Sequence, residues 1–126
     1  MKVMVLVKAT QESEAGVMPT QDLLSAMGEF NASLVKAGIL LAGEGLKPSR
    51  HGKRVRFSGK TRMVTDGPFA ETKDLIAGWM VIDVETYERA LELGGELSAA
   101  PGAGGKPIHE WLEVRPFLAA APTITE

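Results

Sequence analysis

The side chains whose chemistry stands out are two carboxylates and one guanidinium, each beside residues that hold backbone firmly. Asp66 ends an apolar run and is followed by Gly67-Pro68. Gly and Asp favour turns and Pro supplies no ladder donor, so a strand stops there. Asp66 is thus carried on a rigid strand end, where binding groups often sit. A carboxylate there can accept a proton or hold a polar ligand. It can equally cap its own turn. Phe69 and Trp79 are candidates for an apolar surrounding that would raise its pKa. Glu44 lies between Gly43 and Gly45, where backbone can approach a ligand closely. If it shares a cleft with Asp66, the two carboxylates suit acid–base work. Turn-forming glycines alone also explain that segment. Arg115 and Glu113 alternate with Val114, so both face a barrel interior or a seam between two chains if Val114 and Leu112 face the helices. The Arg115 guanidinium can fork onto a carboxylate or phosphate, or pair with Glu113. Glu71 and Lys73 lie two apart and could pair with one another, but each reads as facing solvent.

Other chemistries are excluded or weakly signalled. There is no cysteine, which removes a thiolate zinc site, an iron–sulfur cluster, a disulfide framework and a cysteine nucleophile. His51 and His109 have no second ligand at a metal-type spacing, so no metal is expected. Gly102, Gly104 and Gly105 are not followed by the Lys-Ser/Thr pair of a phosphate loop, and no cofactor is expected. Residues 47–62 hold seven Lys/Arg and no acid. That patch fits an acidic protein or nucleic-acid phosphates, or simply keeps a sheet edge soluble. Phe57 is its one aromatic residue, a poor stacking platform, and nucleic acid is not expected. Net charge is −2. No window of about 20 apolar residues offers a membrane span, and no secretory leader is visible, so a cytoplasmic location is expected.

These residues need elements to hold them. At 126 residues the chain is long enough for one domain with a sizeable core. Residues 2–9 read as a strand apolar on both faces, with Val3, Val5 and Val7 on one side and Met4 and Leu6 on the other. A polar loop, 11–18, precedes a helix over 20–37 with Thr20 as N-cap and Gly38 as its stop. A short apolar run, 39–42, is broken by Gly43 and Gly45. Strands over 54–57 and 61–64 form a hairpin joined at 58–60. A long strand over 75–84 and a helix over 87–93, closed by Gly94-Gly95, follow. The last strand is expected over 108–114, and residues 118–126 as a frayed tail. Two helices on an antiparallel sheet make an α+β, ferredoxin-like two-layer sandwich. The second apolar face of the first strand then needs a cover, and a second copy is the economical one.

Residues 65–73, TDGPFAETK, resemble the signature of the DGPF group of YCII-related proteins. AGEGLKP at 42–48, the strand at 77–84 and EVRP at 113–116 resemble further family segments in the right order, so the likeness spans residues 1–117. The resemblance implies a ferredoxin-like fold paired into a dimeric α/β barrel, in a bacterial, cytoplasmic family with no settled reaction. Members are often encoded beside extracytoplasmic-function sigma factors. In shorter relatives a His and an Asp are proposed as the active-site pair, and this chain has no His near its first helix. Two function classes follow. One is small-molecule binding or acid–base catalysis in a barrel cleft centred on Asp66, lined by Glu44, Gly67, Pro68, Phe69 and Arg115. The other is an accessory regulatory protein that partners a sigma factor.

Overall fold

A computed structural model describes residues 1–99 and 111–118. In chain order it contains β1 (Lys2–Lys8), α1 (Gln11–Glu14), α2 (Gln21–Lys36), β2 (Leu40–Gly45), β3 (Lys53–Ser58), β4 (Thr61–Asp66), β5 (Ile76–Asp83), α3 (Tyr87–Ser98) and β6 (Leu112–Pro116). Four strands form one antiparallel sheet in the order β2-β5-β1-β6, and β3 and β4 form a separate two-stranded sheet. Without that hairpin, the order of strands and long helices is the ferredoxin-like βαββαβ with its two crossovers. The hairpin is an insertion between β2 and β5.

Strand periodicity sorts the sheet into two faces. Val3 and Val5 of β1 are fully buried, with Ile82 of β5 beside them. They pack with Leu34 of α2 and with Ala90 and Leu93 of α3, so both long helices cover this one face. Leu112 and Val114 join that cluster, as the alternation along the last strand anticipates.

The ends of α2 obey local rules. The Thr20 hydroxyl accepts from the Leu23 amide at 3.2 Å. At the other end Gly38 has φ +74, and the amides of Gly38 and Ile39 donate to the carbonyls of Val35 and Leu34. This is the Schellman arrangement, with Ile39 and Leu34 both in the core cluster. Thr20→Ala is expected to cost about 1 kcal/mol, measured by urea unfolding; no loss would mean that the cap contributes nothing to stability.

Three element expectations need correction. The 11–18 segment contains α1, because Thr10 and Ser13 form a reciprocal capping box. Gly43 and Gly45 do not break the run after α2: both lie within β2, and Gly43 is pressed against β5, where a Cβ would stand 3.1 Å from the Trp79 carbonyl oxygen. Gly94-Gly95 do not close the second helix at 93. The apolar spacing of Ala90, Leu93 and Leu97 continues through them, and Gly94 is buried against Val114. Tertiary contact overrides the weak helix propensity of glycine. The last strand starts at Leu112, and the part expected over 108–110 lies outside the described residues. So does most of the expected tail.

Candidate functional site

The DGPF turn is built into a polar node. Glu14, presented by α1, accepts from the Ser49 amide at 2.9 Å and from the Ser49 hydroxyl. Its backbone carbonyl accepts from Arg50 Nη1 at 3.0 Å. Ser49 Oγ in turn accepts from the Phe69 amide at 3.1 Å, and the Gly67 amide donates to the Gly52 carbonyl at 3.0 Å. A Cβ on Gly67 would overlap the Ser49 carbonyl group. Phe69 carries the Arg54 guanidinium 3.8 Å above its ring centre, a cation–π contact. The signature therefore clamps the hairpin base to α1 and to the 49–51 turn. Glu14 and Ser49 escaped the sequence reading. They are 35 residues apart, and only the Thr10–Ser13 spacing hints at the short helix that aims Glu14.

Asp66 stands at the hairpin base, the last residue of β4, opposite Lys53. Lys53 Nζ binds its carboxylate at 2.5 Å, and the Asp66 side chain is 73% exposed. The amides of Gly67 and Phe69 are engaged by Gly52 and Ser49, so they do not depend on Asp66 as a cap. Pro68 is exposed beside it. Trp79, expected as an apolar neighbour of Asp66, belongs to the four-stranded sheet instead.

Glu44 and Arg115 lie on the sheet face that the helices leave open. Register places Glu44, Trp79, Leu6 and Glu113 in one row across β2, β5, β1 and β6. Ala42, Val81, Met4 and Arg115 form the next row. The middle of this face is thus apolar, and its edges are charged. Glu44 and Glu113 sit three strands apart, roughly 14 Å at ordinary strand spacing. Glu113 is held by Lys8 at 3.9 Å and by Arg115 Nε at 3.6 Å, so the expected Glu–Arg pair forms. The Leu46 amide donates to Ala77, which extends the β2–β5 ladder to the point where the chain enters the node. The hairpin is thus connected through residues 46–52 to the end of β2 that carries Glu44. Among the described residues no three His, Cys, Asp or Glu side chains cluster as a metal site. No described helix is long and apolar enough to cross a membrane.

The YCII-related domain model matches residues 1–117. The chain belongs to the YCII-related family. An uncharacterised protein of Rhizobium meliloti (strain 1021) is 35% identical over 88 residues, 70% of this chain and 67% of its own length. Among solved structures, the YCII-related chain is similar to 5-chloro-2-hydroxyhydroquinone dehydrochlorinase from Burkholderia phenoliruptrix AC1100, in complex with 2,5-dihydroxybenzoquinone. That match has a TM-score of 0.41 and 10% identity, and covers 94% of each chain. In this YCII-related chain the signature residues 66–69 serve the node and the hairpin base, while Glu44 and Arg115 border the open sheet face.

Proposed function

We propose that this YCII-related protein binds a small polar molecule in a cleft formed when two copies pair through their open sheet faces, with Asp66 as its acid–base group. The supporting observation is the open face itself. Its apolar centre of Met4, Leu6, Trp79 and Val81 is covered by neither long helix, and charged groups border it on both edges. Such a face gives a ligand an apolar floor and a few polar anchors. Glu44 and Arg115 are those anchors in this reading, and Gly67, Pro68 and Phe69 form the wall that holds Asp66 in place. The exposed Lys53 ammonium holds the Asp66 carboxylate at the hairpin base, where a polar ligand can take its place.

The test is a thermal-shift screen of small metabolites on the purified protein, followed by Asp66→Asn. A true ligand stabilises the folded state in proportion to its occupancy. The exposed Lys53–Asp66 pair contributes at most about 1 kcal/mol, so Asp66→Asn should leave the melting temperature nearly unchanged. Ligand response should disappear. A variant that responds to the same ligand as strongly as the parent protein removes Asp66 from the site.

A further inference from the structure

The β3–β4 hairpin is a two-stranded sheet exposed along its whole length, and such a hairpin is marginal alone in water. Val55, Val64 and Phe57 share one of its faces with Arg62, which stands opposite Phe57. Phe57 is 70% exposed and Val55 58%. The chain's charge is split around this arm. Residues 47–62 hold seven of the 14 Lys/Arg and none of the 16 Asp/Glu, which leaves the rest of the chain at −9.

A matching surface lies at the other edge of the molecule. Leu91, Gly94 and Gly95 of α3 and Trp111, Leu112 and Val114 line a cavity of about 230 Å³, room for a phenyl ring. Trp111 is 84% exposed and Leu91 49%. Glu88, Glu92 and Glu96 recur every four residues along the same helix and are all exposed, so the groove runs beside an acidic stripe. Arg89 answers Glu92 at 3.0 Å and leaves the stripe negative.

Topology brings the two surfaces together. β2 and β6 are the opposite edges of the sheet, and the hairpin leaves the chain just after β2. When two such sheets close into a barrel around a two-fold along its axis, β2 of one copy comes beside β6 of the other. We propose that the hairpin of each copy docks in the α3–β6 groove of a second copy, with Phe57 between Leu91 and Trp111 and with Arg62 and Lys60 facing Glu92 and Glu96. This rests on the pairing proposed above. It makes the basic arm an assembly device.

The absence of cysteine makes the test direct. Phe57→Cys in one preparation and Leu91→Cys in another are mixed and treated with a short bis-maleimide. A cross-linked species of twice the chain mass that needs both variants is expected. Phe57→Cys mixed with Val35→Cys, a comparably exposed position on α2, should not cross-link. Phe57→Glu should raise the dimer dissociation constant at least tenfold by analytical ultracentrifugation. If the wild type dimerises but neither effect appears, the docking inference falls and the sheet-face pairing stands. A monomeric wild type overturns both. A Phe57→Glu chain that keeps the dimer and loses an acidic protein partner assigns the arm to that partner and overturns the inference.

Discussion

Leu6→Glu is expected to turn a dimer of twice 13.5 kDa into a monomer at micromolar concentration, as seen by light scattering. Leu6 lies in the middle of the open face, between Trp79 of β5 and Glu113 of β6. Its neighbours Val5 and Val7 point the other way along the strand, and Val5 is buried beneath the helices. The substitution therefore leaves the monomer's core intact and changes only the surface proposed to pair. In a sheet-to-sheet contact around a two-fold axis, the new carboxylate would be buried in both copies. Burying an unpaired charge costs several kcal/mol, and Glu113 in the same row adds repulsion. A penalty of about 4 kcal/mol weakens the dimer on the order of a thousandfold. Met18→Glu, on a residue 77% exposed away from the sheet, is the matched control and should not change the mass. A monomeric parent protein, or a Leu6→Glu chain that still dimerises, would remove the pairing and the cleft built on it.

The two-sided first strand is what made this face legible before any coordinates. Val3 and Val5 alternate with Met4 and Leu6, so both faces of the strand are apolar, and α2 and α3 cover just one of them. The ends of α2 were equally readable, because Thr20 and Gly38 act through backbone bonds to residues a few positions away. Legibility fails where an outcome depends on packing at long range. Gly94-Gly95 look like a helix stop until the approach of α3 to Val114 is known. Gly43 looks like a break until β5 lies across it. At the candidate site the same boundary applies. The hairpin turn at Gly59 sets a register in which Lys53 faces Asp66, so that pair follows from local sequence once the turn is placed. The node that holds residues 67–69 does not, since it joins Glu14, Ser49 and Phe69 from three distant segments.

That node leads to the second large effect, at Gly67. Among the signature residues Asp66 is the chemically eye-catching one, yet Gly67→Ala is expected to do far more damage to the fold than any change at Asp66. The Gly67 Cα faces the 49–51 turn, and an added methyl would lie 2.7 Å from the Ser49 carbonyl carbon and 3.3 Å from the Arg50 Cα. Both are backbone atoms, so no flexible side chain can swing aside. Relief requires the DGPF turn and the 49–51 turn to separate. Separation strains the Gly67-to-Gly52 hydrogen bond at once and then the Phe69-to-Ser49 bond, which also carries Glu14. Overpacking costs about 1–3 kcal/mol by itself, and each frayed hydrogen bond adds on the order of 1 kcal/mol. Gly67→Ala should therefore lose on the order of 3 kcal/mol, roughly 10 °C in melting temperature for a chain of this size. Ser49→Ala makes the useful comparison. It removes the hydroxyl that joins Glu14 to Phe69 but adds no bulk, so its loss should be about 1–2 kcal/mol. The order Gly67→Ala, then Ser49→Ala, then a nearly silent Asp66→Asn would assign the signature's glycine to the clamp and leave its carboxylate free for a ligand. A Gly67→Ala protein as stable as its parent would mean that the two turns are not in contact, and Asp66 would lose the rigid mount that its proposed role needs.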